Sequence, residues 1–413
     1  MVKDILPEEF ACYTRELMGD VRYERFVDAL SEEAPVSIRL NPQKTKGMTV
    51  SPEWTEGSVA WCDEGYYLKS RPDFTFDPLL HAGVYYVQEA SSMFISHVLR
   101  TLVHEPVTML DLCAAPGGKS TAARAVLPEG SVLYSNEPVR TRAHILAENM
   151  EKWGHRDVVV TNAYPRDYSH SGMMFDVILC DVPCSGEGMF RKDEGAVREW
   201  SATNVKKCQQ LQREIVTEAV KCLKPGGYLI YSTCTFNAHE NEENIAWMTG
   251  EYGLTPVSIP IEESWGITGP LTGDMSLPLY RFIPGYTRGE GLFMAVLQNT
   301  NYELRNTNYE LRNEGGKKSR RNKDYRDRDI QIIEPSLQME GPLVDVDYAT
   351  AIAYLRGEAI TLPSDTPRGM VTIGYRGFAL GGAKNVGNRA NNLYPKAWRI
   401  RSQVTHQEQT III

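Results

Sequence analysis

No Cys-x-x-Cys pair and no short-spaced cluster of cysteine and histidine occurs in the 413 residues, although eight cysteines stand at positions 12, 62, 113, 180, 184, 208, 222 and 234. That spacing argues against a structural metal site and against a disulfide framework, so no metal is expected. No apolar run approaches the roughly 18 residues that a membrane-crossing helix requires. Met1 to Phe10 carry acidic side chains and a proline where an export signal needs a basic stretch followed by an apolar one. A soluble, cytoplasmic protein without a membrane partner is the expectation, and nothing demands more than a monomer. The net charge of −9 excludes a chain that is basic all over, but a global sum hides segregation. Residues 366–407 contain no Asp or Glu at all, while holding Arg368, Arg376, Lys384, Arg389, Lys396, Arg399 and Arg401 among Tyr375, Phe378, Tyr394 and Trp398. Basic groups interleaved with aromatics suit phosphate contact and base stacking, and an ordinary basic surface of a β-rich domain is the plainer alternative.

From Val107 onward short apolar runs alternate with helical stretches, the pattern of a parallel sheet covered by helices on both faces. The strand candidates are Val107 to Leu112, Val132 to Asn136, Asp157 to Thr161, Phe175 to Cys180 and Gly227 to Ser232. Each is continuously apolar rather than alternating, as in strands buried on both sides. Leu211, Ile215, Ala219 and Leu223 mark a helix before the last strand, with Lys224-Pro225-Gly226-Gly227 read as its end. The predicted fold is α/β with a Rossmann-like core over 106–298, preceded by a small α+β unit over 1–105 and followed by a basic, β-rich module over 331–413. Between them, 299–330 reads as a flexible linker, because Thr300–Asn306 is repeated identically as Thr307–Asn313 before a Gly-Gly and a Lys/Arg-rich stretch.

After the strand ending at Asp111 comes Cys113-Ala114-Ala115-Pro116-Gly117-Gly118-Lys119-Ser120, then a helix-compatible run. Small residues let the backbone approach a ligand, and a helix N-terminus offers free N–H groups to its polar end. A phosphate-binding P-loop needs glycine five residues before Gly118, where Cys113 stands. Glu137 closes the next strand about 20 residues on, where a carboxylate reaches the ribose of an adenosine-type cofactor. Dinucleotides and S-adenosylmethionine both satisfy this pattern.

Two cysteines close core strands, in Asp181-Val182-Pro183-Cys184-Ser185-Gly186 and in Ser232-Thr233-Cys234-Thr235. A lone cysteine is more often a buried structural residue, but ligands bind at the carboxyl edge of such sheets, and here two thiols stand beside a cofactor turn. Methylating cytosine at C5 needs a thiolate to add at C6 first, which builds carbanion character at C5. Removal of the C5 proton and expulsion of the thiol then need a positioned acid or base, a task a second thiol can perform. Asp181 is close enough in sequence to bond a base edge or a cofactor amine, and Lys119 to orient or charge-balance the site. The residues alone do not rank the two thiols. They also leave a dinucleotide-dependent oxidoreductase and a catalytically silent RNA-binding scaffold as rival readings.

These segments, with Ser37-Ile38-Arg39-Leu40-Asn41-Pro42, Tyr86-Val87-Gln88-Glu89-Ala90-Ser91-Ser92-Met93 and Tyr231-Ser232-Thr233-Cys234-Thr235, resemble the NOL1/NOP2/Sun RNA cytosine-C5 methyltransferases over nearly the whole chain. Within that family they are most similar to the bacterial enzymes that modify small-subunit ribosomal RNA. The resemblance implies that Cys234 is the nucleophile and Cys184 assists release of methylated RNA. It also implies that Cys113 to Lys119, Glu137 and Asp181 line an S-adenosylmethionine site. The N-terminal unit and the C-terminal module, where Gly387-Asn388-Arg389 and Asn392-Leu393-Tyr394-Pro395-Lys396 match the family, would hold RNA, ribosomal ahead of transfer RNA. One departure is Asn162, where relatives often carry an acidic residue that contacts adenine.

Overall fold

The computed structural model describes residues 2–300, 330–402, 404, 407–409 and 411–413. The expected linker and its duplicated heptapeptide therefore lie almost entirely outside the described residues. Contacts divide the chain into two compact units, one of residues 1–35, 89–143 and 157–333, the other of 36–88, 144–156 and 334–413. The stretch 1–105 thus contributes to both.

The first unit is built on a mixed sheet. Its main strands are β1 (Thr108–Asp111), β2 (Val132–Asn136), β3 (Val158–Asn162), β4 (Phe175–Asp181), β5 (Leu223–Thr233), β6 (Leu279–Phe282) and β7 (Leu292–Gln298). In the order β7-β5-β4-β1-β2-β3 the strands β1 to β5 run parallel, while β7 is antiparallel to β5 and to β6, whose Arg281 also bridges Thr268. Strand order reverses at β1, whose neighbours are β2 and β4, and that reversal opens a crevice beyond the carboxyl ends. Ile178 and Leu179 at the centre of β4 are fully buried, each contributing about 1.5–3 kcal/mol by the usual burial arithmetic.

The Lys-Pro-Gly-Gly segment lies inside β5 rather than at a helix end. The preceding helix, Ala202–Val220, stops earlier, and the β4–β5 register shifts between Phe175 and Val177 so that residues 224–227 bulge out. Lys224 is held there by Asp176, at 2.9 and 2.8 Å from its two carboxylate oxygens. Of the stripe read on that helix, Ile215 and Ala219 are buried but Leu211 is exposed. The N-terminal helices Glu8–Met18 and Asp20–Leu30 pack Phe10 on Phe190 and Trp200, and Phe26 on Phe236, walling the loops that follow β4 and β5.

The second unit joins two four-stranded sheets. One orders Thr55–Val59, Cys62–Leu68, Val36–Leu40 and Tyr85–Val87; the other orders Leu343–Asp345, Gly369–Tyr375, Phe378–Asn385 and Ala390–Asn392. They share one core, in which Ile38, Leu40 and Tyr85 pack in the same cluster as Ile352, Leu355, Val371 and Ile373. The interleaved aromatics of 366–407 divide accordingly: Tyr375 and Tyr394 are core residues, whereas Phe378 and Trp398 are half-buried. Base stacking by Tyr375 and Tyr394 is thereby ruled out. The cations Arg368, Lys384, Arg389, Lys396 and Arg401 are exposed, and Arg376 pairs with Glu408 at 2.9 Å.

Candidate active site

Every residue singled out for chemistry falls at the carboxyl edge of the core sheet in the first unit. The turn 112–117 leaves β1, and Gly117 adopts a φ of +113°, open to glycine, before the helix Gly118–Val126 starts. The backbone of the turn is anchored, since Ala114 N–H donates to the carbonyl of Asn136 at 2.8 Å. The Asn136 amide also donates to the carbonyls of Leu112 and Ala163, tying the turn to the loop after β3. Cys113 contributes its backbone here; its thiol packs against the core, and burial pushes it well above the ordinary thiol range.

Glu137 is buried at the end of β2, accepting from Val139 N–H at 2.9 Å with Arg142 at 3.4 Å. Arg142 also donates to the carbonyl of Ala115 at 3.0 Å and so links the turn to this carboxylate. The Asn162 amide nitrogen donates to the carbonyls of Glu137 and Pro138, at 2.7 and 2.9 Å, which turns its oxygen into the atom available to an amino group. A carboxylate for ribose hydroxyls, an amide oxygen for an adenine amine and a Gly-rich turn before a helix make a donor set that fits an adenosyl cofactor.

At the strand ends next to this turn, Lys119 donates to Asp181 Oδ2 at 2.8 Å while Ser232 donates to Oδ1 at 2.7 Å. Burial opposes the Lys119 charge, but Asp181 alongside, with Cys234 and Asp111 adding negative potential, holds its pKa above the usual value. Lys119 therefore stays an ammonium at neutral pH. Behind it Asp111 is fully buried and accepts from Ser120 at 2.6 Å. Burial pushes Asp111 up to about 7, against the Ser120 hydrogen bond that lowers it. A carboxyl raised above its unfolded value of about 4 weakens the fold as pH rises, with the loss accruing between about 4 and about 7 and complete above that. Urea unfolding of Asp111→Asn beside the natural protein is expected to show the variant gaining relative stability across that window. A difference independent of pH would mean that Asp111 titrates normally.

The two strand-end thiols meet. Cys184 Sγ and Cys234 Sγ are 3.0 Å apart, and Cys234 N–H points at Cys184 Sγ at 3.4 Å. The hydrogen bond with Cys234, reinforced by burial, pushes the Cys184 thiol well up, so Cys184 keeps its proton. Gly188 donates to the carbonyl of Cys234 at 2.7 Å, and a Cβ at Gly188 would stand 2.8 Å from that oxygen, so the approach requires glycine.

The sequence did not disclose what holds these loops together. Each sends a buried carboxylate to the other. Glu187, from the Cys184 loop, accepts from the amides of Phe236 and Asn237, the Asn237 side chain and the Trp200 indole. Glu240, from the Cys234 loop, accepts from Ser185 N–H at 3.1 Å, Gln212 at 2.6 Å and Asn237 at 2.9 Å. Burial raises the Glu240 pKa. The polar run Asn237–Asn244 directly after the Thr-Cys motif was the available signal, yet nothing local marks it as buried.

Three family models match successive parts of the chain: the N-terminal domain of 16S rRNA methyltransferase RsmF over 6–90, 16S rRNA methyltransferase RsmB/F over 99–298, and the methyltransferase RsmF PUA domain over 342–400. The chain belongs to the RsmB/F methyltransferase family. Among its relatives, the ribosomal RNA small subunit methyltransferase F of Escherichia fergusonii is 33% identical over 307 residues, covering 71% of this chain and 63% of that protein. Its namesake in Enterobacter sp. (strain 638) shows the same identity and coverage. The chain thus spans about two thirds at most of these relatives' length, 63%. A methyltransferase homolog protein from Pyrococcus horikoshii superposes with a TM-score of 0.60 at 25% identity, covering 72% of this chain and 98% of that one. NSun6 from the same organism, solved with SFG, superposes at 0.58 with 18% identity over 71% and 98%, a likeness of fold. The RsmB/F match spans the turn, the carboxylates and both thiols. Among the described residues no group of three or more His, Cys, Asp or Glu is placed to hold a metal, and no helix is long and apolar enough to cross a membrane.

Proposed function

We propose that this chain methylates C5 of cytosine in 16S ribosomal RNA with S-adenosylmethionine, through a covalent adduct between Cys234 and C6. The contact that carries the reading is the pair of thiols 3.0 Å apart at the crevice of the sheet, beside the Lys119–Asp181 pair. S-adenosylmethionine, when bound, supplies an electrophilic methyl group. The turn 113–119, Glu137, Asn162 and Asp181 would hold it. Cys234 adds its sulfur to C6 of the base, the C5–C6 π electrons shift to C5, and the Lys119 ammonium favours negative charge at that edge of the sheet. Once C5 carries the methyl group, its proton must leave so that the Cys234–C6 bond can break and the ring regain its double bond. That proton would pass to water at the crevice as the C5–H electrons form the C5–C6 double bond and the C6–S electrons return to Cys234, and the Cys184 thiol, 3.0 Å from the departing sulfur, would assist by hydrogen-bonding the thiolate as it forms. Asp181, braced by Ser232 and Lys119, is a fixed acceptor for an amino group of the base or the cofactor.

The second unit would hold the RNA through the exposed cations of the PUA-like module, phosphate by phosphate. The protein would work in the cytoplasm as a monomer. Bisulfite sequencing of total RNA from cells with and without the gene tests the reading. Loss of one or a few protected cytosines in 16S ribosomal RNA is expected. Loss confined to transfer RNA would keep the chemistry and move the substrate, and no change at all would overturn the proposal in favour of a silent scaffold.

A further inference from the structure

Away from the thiols, the first unit contains a polar cleft of about 430 Å³ whose lining includes Arg191, Arg288, Tyr286, Glu32 and Glu33. Its surroundings are rich in cations. Arg25 and Arg22 lie over the Tyr286 ring, at 4.2 and 5.7 Å, and Lys192 stands 3.8 Å from Glu290. Arg191 is the unusual member. Its side chain is only 6% exposed, yet its Nε–H finds no acceptor among the described residues, and its closest charged neighbour is Glu290 at 3.6 Å. Both carboxylate oxygens of Glu290 are likewise buried without a hydrogen bond among the described residues. A buried pair so loosely joined leaves its desolvation poorly offset, and an anion in the cleft that Arg191 lines would add the charge that the guanidinium lacks.

The cleft is continuous in backbone with the thiol loops. Residues 289–291 run from it to Gly188, where the built Cβ would lie 3.2 Å from the Glu290 carbonyl and 2.8 Å from that of Cys234. Gly289 is pressed against Ser91 and Glu89, whose side chains would stand 2.3 and 2.5 Å from any Cβ there. Glu89 also accepts from Glu290 N–H at 3.0 Å. The cleft wall is therefore fixed in place relative to the nucleophile.

We propose that this cleft is a subsite for the nucleotide next to the target cytosine, with Arg191 and Arg288 on its phosphate and the carboxylates of Glu32 and Glu33 accepting from sugar hydroxyls or base amines. The proposal rests on the RNA-methylating reading above and adds where the neighbouring linkage sits. Arginine suits the role because its fixed fork matches phosphate oxygens, and the carboxylates in the same lining disfavour a bare polyanion while accepting a nucleotide that also brings donors.

The test uses the full chain and RNA oligonucleotides centred on the methylated cytosine, each with one linkage neutralised as a methylphosphonate. The natural protein is expected to lose roughly tenfold in affinity at one linkage adjacent to the target. Arg288→Ala, at an exposed position, and Arg191→Lys, which keeps the charge but not the fork, should each weaken the unmodified RNA by a similar factor. Neither variant should then sense that linkage, while S-adenosylmethionine affinity is unchanged. Variants whose linkage profile matches that of the natural protein would overturn the subsite alone. A natural protein that methylates no RNA would instead overturn the reading it rests on.

Discussion

Cys184→Ala is expected to accumulate a protein–RNA adduct that survives denaturing electrophoresis, while Cys234→Ala forms none and loses methyl transfer by at least about a thousandfold. The asymmetry follows from the order of bonds. Addition of Cys234 to C6 needs only Cys234, so removing Cys184 leaves that step open; release needs the second thiol, which sits 3.0 Å from the departing sulfur. The adduct should require S-adenosylmethionine for its full yield, because methylation of C5 commits the base to a state that cannot simply reverse. Gel shift of radiolabelled RNA in detergent, with each variant and with the double substitution, reads both outcomes. Adduct from Cys234→Ala and not from Cys184→Ala would exchange the two roles; adduct from neither would remove covalent catalysis from the account.

Glu187→Ala is expected to cost about 3–5 kcal/mol of stability, an effect as large as breaking a buried ion pair. The carboxylate is 1% exposed and accepts from four donors on two segments of chain: the Phe236 and Asn237 amides, the Asn237 side chain and the Trp200 indole. Alanine would leave all four in an interior that water enters poorly. Urea unfolding measures the loss, and Glu187→Gln, which keeps one acceptor oxygen, should recover part of it. Residual activity in the folded fraction should also fall, since the Cys184 loop loses one of its ties to the Cys234 loop while that from Glu240 remains. A midpoint within experimental error of the natural protein would show that water or local rearrangement satisfies those donors.

The parallel strands were legible because burial on both faces writes an unbroken apolar run, as in Phe175–Asp181, and the thiols were legible because they end such runs. The antiparallel strand Leu292–Gln298 carries an equally apolar run, but its place beside Tyr228–Thr233 depends on a pairing some 60 residues apart that no local pattern announces. The segment Lys224-Pro225-Gly226-Gly227 misled because Pro and Gly stop helices and equally mark a bulge in a strand. Composition placed aromatics among cations in 366–407 without telling which face each takes, and Tyr375 and Tyr394 turned inward. Glu187 and Glu240 stayed hidden for the same reason: a glutamate in a polar loop reads as solvated until its donors, on another loop, are in view.

The shared core of the second unit has a consequence for synthesis. Thr49 and Ile413 exchange both backbone hydrogen bonds, Val50 bridges Ile412, and Ile38 and Leu40 lie in one cluster with Ile352, Leu355 and Ile412. Residues 36–88 leave the ribosome long before those partners exist. At ordinary elongation rates the wait is on the order of tens of seconds, during which an apolar sheet face stays uncovered while the methyltransferase core inserted between the two halves is made. A nascent chain stalled before residue 340 should therefore engage chaperones through 36–88, and a truncation there removes the fold of the N-terminal sheet along with the PUA-like module.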